Sequence, residues 1–85
     1  MFRVVISKRA AKEVQDLPGP MIPRVHGAIV ALAVDPRPPG CKKLVDQKES
    51  LWRIRVGDYR VAYTIDDTVR IVDVRKVGHR KDIYL

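Results

Sequence analysis

The sequence predicts an α+β fold, with an N-terminal strand and an αα-hairpin packed on one face of a mainly antiparallel sheet of about four strands. Three observations predict it. A short β-branched segment opens the chain, ahead of two stretches whose apolar residues recur at helical spacing. The breakers Pro18-Gly19-Pro20 and Asp35 to Gly40 (DPRPPG) bound the second of these stretches. After them, apolar and polar residues alternate with the period of a half-buried strand.

Phe2 to Ile6 (FRVVI) reads as the first strand. Ser7 is placed to cap a helix across KRAAKEVQDL, in which Ala10, Val14 and Leu17 form a narrow apolar stripe. A second helix is predicted from Pro20 or Met21 to Val34. It can carry Pro23 only in its first turn, where the missing N–H costs nothing. Ile22, Val25, Ile29 and Leu32 or Ala33 supply its buried stripe. So short a break between the helices makes them an αα-hairpin. Lys43 to Val45 is a short strand, and the longer strands are Leu51–Val56, Tyr59–Ile65 and Val69–Lys76. Gly57-Asp58 and Asp66-Asp67-Thr68 join these three. With 85 residues, the chain fits a single domain over residues 1–85.

The hairpin can be registered from its turn. A two-residue loop at Gly57-Asp58 pairs Val56 with Tyr59, Ile54 with Val61 and Trp52 with Tyr63, all apolar or aromatic. The same register sets Arg55 opposite Arg60, with Arg53 on the same face. Opposed like charges destabilise a ladder. A tight turn at Asp66-Asp67 would then bring Asp73 opposite Arg60 and Arg75 to the arginine side. A solvated face is the plain alternative, but solubility alone favours mixed charge over clustered arginines. A guanidinium binds phosphate bidentately and stays charged at any working pH.

Seventeen Lys and Arg against ten Asp and Glu give a net charge of +7, which attracts polyanions. The tail KVGHRKDIYL adds His79, Arg80, Lys81 and Tyr84, a basic and aromatic set suited to single-stranded RNA. Lys42, Lys43 and Lys48 could add phosphate contacts without sequence choice, or could simply be solvated. No apolar run approaches the ~20 residues of a membrane span, and the N-terminus lacks the apolar core of a leader. The lone Cys41 suits a reducing cytoplasm, and no His, Cys, Asp and Glu cluster has metal-ligand spacing. The chain is therefore expected to act in the cytoplasm with no cofactor and no metal.

The stretch LWRIRVGDYRVAYTI with its G-x-YR-x-x-Y core, the acidic turn DD, VRIVDVRKVGHR and the terminal Tyr84 together resemble the RelE/ParE toxin superfamily. The likeness covers nearly the whole chain. It implies the toxin of a type II toxin–antitoxin system, a ribosome-dependent mRNA interferase cutting mRNA in the ribosomal A site. The partners it implies are the ribosome, mRNA and a cognate antitoxin, RelB-like or of another class. The catalytic residues it implies are Arg53, Arg55, Arg60, His79, Arg80 and Tyr84, with Lys42, Lys43, Lys48, Arg75 and Lys81 as RNA-binding residues. Tyr84 lies at a slightly different spacing from Arg80 than in some members, and His79 stands where some relatives have lysine. The alternatives are a ParE-like inhibitor of DNA gyrase without nuclease activity, and a regulatory RNA-binding module.

Overall fold

The computed structural model describes residues 1–44 and 50–81. Its elements run β1 (Arg3–Ile6), α1 (Lys8–Gln15), α2 (Met21–Ala31), β2 (Lys42–Lys43), β3 (Leu51–Val56), β4 (Tyr59–Asp66) and β5 (Ile71–His79). The α+β architecture is the expected one, but the sheet has five strands, in the order β1-β5-β4-β3-β2. The extra strand over the expected count arises at the edges. The N-terminal strand joins the sheet in parallel with β5, and Lys42–Lys43 adds a short antiparallel strand to β3.

Each helix begins and ends for a local reason. The Ser7 hydroxyl accepts the Ala10 N–H at 3.1 Å, so α1 has a side-chain cap at its N-terminus. Pro18-Gly19-Pro20 stops the chain from continuing, and α2 starts at Met21 with Pro23 inside its first turn. Ala10 and Val14 from α1, with Val25, Ile29 and Leu32 along α2, bury against the sheet. They meet Ile54, Val61, Tyr63, Val72, Val74 and Val77 in one apolar cluster. Both helices therefore lie on one face of the sheet, and the side chains of the opposite face are left for other work. Truncating a residue such as Ile29 to Ala would cost ~2–5 kcal/mol.

The first hairpin follows the expected register throughout: Trp52 pairs with Tyr63, Ile54 with Val61, Arg55 with Arg60 and Val56 with Tyr59. Gly57 sits at φ 61, which a residue with a Cβ rarely adopts, and so closes the two-residue turn.

The second register differs from the sequence reading. The turn after β4 is longer, because Asp66 Oδ1 accepts the N–H groups of Thr68 at 3.0 Å and Val69 at 3.2 Å. Arg70 then takes φ 58 before β5 starts at Ile71. Asp73 consequently lies opposite Thr64, and Gly78, not Asp73, lies opposite Arg60. A β-bulge follows: Tyr63 pairs with Val74 and Ala62 with Lys76, leaving Arg75 as the extra residue. The bulge lets Val72, Val74 and Val77 all face the core despite their odd spacing. Two groups on the α1 segment hold it. Glu13 Oε1 accepts the Val77 N–H at 2.9 Å, and the Ser7 hydroxyl donates to the Arg75 carbonyl at 3.4 Å.

At the end of the hairpin away from Gly57-Asp58, the loop before β2 is pinned over the sheet. The buried Tyr63 hydroxyl donates to the Pro36 carbonyl at 2.8 Å, and burial raises its pKa well above the usual phenol value. Arg37 donates to both oxygens of Asp67, at 3.2 and 2.8 Å, and lies 5.0 Å over the Trp52 ring.

Candidate nucleic-acid interface

Alternation along the strands places the basic residues in two rows across the helix-free face. The first row runs Arg55, Arg60, Gly78 across β3, β4 and β5. The second runs Lys42, Arg53, Ala62, Lys76 across β2, β3, β4 and β5. Adjacent rows lie two residues apart along the strands, or ~7 Å at ~3.3 Å per residue.

Arg80 reaches the first row from beyond β5. Its backbone N–H donates to the Asp58 carbonyl at 2.8 Å, and its Nε lies 4.0 Å from Asp58 Oδ1. The hairpin turn thus holds the start of the tail against the sheet. Arg60 is half-buried, and its Nη1 donates to the Tyr59 carbonyl at 3.2 Å. Its pKa is depressed from the ordinary guanidinium value, first by burial and then by the charges of Arg55, Arg53 and Arg80; Asp58 opposes them. Four arginines, from β3, β4 and the tail, thus share one field. Among the described residues, Arg53, Arg55 and Arg60 form no ion pair.

The other residues singled out in the sequence are placed less centrally. His79 pairs in register with Tyr59 and meets its ring edge-on, with centroids 5.4 Å apart, on the packing side of the sheet. Its Nδ1 accepts the Lys81 N–H at 3.2 Å, so in the neutral ring Nε2 carries the hydrogen. Arg75 occupies the bulge and pairs with Asp73 at 3.0 Å, away from Arg60. Lys43 lies 6.0 Å over the Trp52 ring, on the opposite side of β2 from Lys42. Lys81 is exposed just after the sheet ends. Lys48 and Tyr84 lie outside the described residues.

Two residues of this face escaped the sequence reading. Lys76 was hidden by the bulge, which sets it opposite Ala62 on the arginine side, while Arg75 pairs with Asp73. Asp58 was visible only as a turn residue, although an acidic group beside a basic tail is itself a signal for an anchoring pair. Among the described residues, no group of three His, Cys, Asp or Glu side chains could hold a metal ion. No described helix is long and apolar enough to cross a membrane.

Comparison with known proteins agrees with this fold. Residues 4–84 match the family described as the ParE toxin of the type II toxin–antitoxin system parDE. The chain is 33% identical to the candidate toxin RelE1 of Methanocaldococcus jannaschii, over 98% of this chain and 94% of that one. Among solved structures, the RelE–RelB complex of Pyrococcus horikoshii contains a chain 29% identical. The TM-score is 0.81, and 96% of this chain and 98% of that one are covered. The isolated RelE toxin of E. coli shares the fold at 23% identity and a TM-score of 0.77, over 93% of this chain and 84% of that one.

Proposed function

The chain belongs to the ParE toxin family of type II toxin–antitoxin systems, with RelE-like relatives, and on that footing we propose that it is a ribosome-dependent mRNA interferase. The observation that carries this reading is the cluster of Arg53, Arg55 and Arg60 on the helix-free face, joined by Arg80, which the Asp58 turn holds beside it. In the reaction, the 2′-oxygen of the RNA bonds to the adjacent phosphorus while the bond from phosphorus to O5′ breaks. A 2′,3′-cyclic phosphate and a 5′-hydroxyl result. Charge builds on the non-bridging oxygens of the phosphorane, and fixed guanidinium groups stabilise it most where water is displaced.

Arg60, with Arg53 or Arg55, clamps the scissile phosphate. Arg80, held at the turn by Asp58, contacts the same phosphate or assists protonation of the departing oxygen. Tyr84 is a base-stacking or proton-transfer group, whereas His79, packed against Tyr59 on the other side of the sheet, would reach the substrate only from the sheet end. A guanidinium is a poor base at neutral pH, so a group outside the arginine cluster takes the 2′ proton.

The activity places the protein in the cytoplasm with ribosomes and mRNA, and implies a cognate antitoxin. The Pyrococcus relative was crystallised with RelB, and an acidic segment of such a partner would suit this basic face. The test is 5′-end mapping of an mRNA on programmed ribosomes. Cuts in the A site that disappear in folded Arg60→Ala and Arg80→Ala variants support the interferase. The second reading, a ParE-like gyrase inhibitor, is favoured by the parDE family match itself. Intact mRNA together with trapped gyrase–DNA complexes would select it.

A further inference from the structure

We propose that the second basic row, Lys42, Arg53 and Lys76 around Ala62, is a subsite for the RNA phosphate next to the scissile one, with Lys76 as its unassigned member. The inference rests on the RNA-cleaving reading and deepens it. The register places Arg53 and Lys76 on either side of Ala62, with Lys42 outside Arg53 at the sheet edge. Arg53 and Lys76 start two strands apart, a Cα separation of ~10 Å at ~4.8 Å per strand. Their long side chains can converge on one phosphate because the residue between them is an alanine. A larger side chain at position 62 would stand between the two heads.

The spacing between rows gives the subsite its place on the substrate. Rows ~7 Å apart along the strands match the step from one phosphate to the next on an extended single strand. A strand whose scissile phosphate sits on Arg55, Arg60 and Arg80 would therefore bring a neighbouring phosphate to Arg53 and Lys76. The two half-buried side chains start from partly fixed positions, so less freedom is lost on binding. The third position along this face bears Asp73 opposite Thr64, and its carboxylate is paired with Arg75 at 3.0 Å. The two rows therefore offer places for two phosphates.

The β-bulge is what builds this row. Were Arg75 paired in a regular ladder instead of bulged, parity along β5 would turn Lys76 toward the helices and Val77 toward the arginines. Glu13 and Ser7, which hold the bulge from the α1 segment, therefore set the phosphate-binding pattern on the far side of the sheet.

The test is the salt dependence of binding to a short single-stranded RNA, 2′-O-methylated so that it cannot be cut. Each phosphate neutralised on a single strand contributes about −0.7 to the slope of log K against log salt. Because Arg53 shares the phosphate, Lys76→Gln is expected to reduce the slope by about half of that 0.7 and to weaken binding severalfold at low salt, with Lys76→Arg restoring both. Lys8→Gln, on α1, should leave the slope unchanged. If Lys76→Gln matches wild type while Arg60→Gln lowers the slope, the subsite is overturned and the arginine site stands. If neither changes it, the RNA reading falls as well. An equal loss in Lys8→Gln, or a loss seen with oligoglutamate but not with RNA, also overturns the subsite. Retained melting temperature in each variant shows that folding is not the cause.

Discussion

The two ends of the β3–β4 hairpin use arginine in opposite ways. At one end, Arg37 meets Asp67 through two hydrogen bonds and lies over Trp52; its pKa is raised, chiefly by the bond to Asp67. At the other, Arg60 is lowered by burial and by three neighbouring arginines. The residue type is the same and the sign of the shift is reversed. An arginine whose field is balanced within the chain serves the fold. One held among like charges carries an unfavourable energy that an arriving anion would relieve.

The largest effect should come from the unbalanced end. Arg60→Ala is expected to reduce A-site cleavage by ~10²–10³-fold, the usual consequence of losing one group that stabilises transition-state charge. Its melting temperature should stay level or rise, because the substitution removes repulsion from Arg55. A large fall in stability would show that Arg60 serves the fold after all.

Next is Tyr63→Phe at the balanced end, which leaves the buried Pro36 carbonyl without its donor and should cost ~1–3 kcal/mol in denaturant unfolding. The same tyrosine gives a pH dependence. Its folded pKa is raised above the ordinary 10.0, so its contribution is full below pH 10.0 and is lost as pH rises beyond it. Tyr63→Phe should flatten that alkaline decline.

Asp58→Ala addresses the join between turn and tail. Releasing the Arg80 side chain should lower cleavage about tenfold through misplacement, while Arg80's backbone bond to the Asp58 carbonyl keeps the tail attached. Cleavage equal to wild type would show that Asp58 does not position Arg80.

The smallest effect is expected for Arg37→Ala, which should lose about 0.5–1 kcal/mol of ring contact with Trp52 and leave cleavage intact. Its partner Asp67 is held below the ordinary 3.8 by Arg37, so that pairing stabilises above the usual carboxylate range and fades as pH falls through it. Acid unfolding of Arg37→Ala should lack this component.

The Arg60 end of this contrast was legible in the sequence, whereas the Arg37–Asp67 pair at the other end, thirty residues apart along the chain, was not. The two-residue Gly57-Asp58 turn fixes the β3–β4 register, which puts Trp52, Ile54 and Val56 on the same face as Tyr59, Val61 and Tyr63. Arg53, Arg55 and Arg60 followed from it. The β4–β5 register did not, because nothing in Asp66-Asp67-Thr68 announces an Asx-held turn running on to Arg70. A bulge leaves no mark on local propensity either. It could have been suspected only from Val72, Val74 and Val77, whose spacing breaks a period of two. That single irregularity explains why Lys76 was not expected on the phosphate face. The parallel pairing of β1 with β5 was likewise illegible, since strand composition does not name a partner.

The central claim is that the Arg60 end of the hairpin takes up phosphate and the Arg37 end does not. It is tested most directly by melting temperature with and without the uncleavable RNA oligonucleotide, since a ligand that binds only the folded state raises the midpoint. Wild type and Arg37→Gln should both melt higher when the RNA is added, and Arg60→Gln should show little or no shift. Equal shifts in all three proteins would contradict phosphate uptake at this end of the molecule.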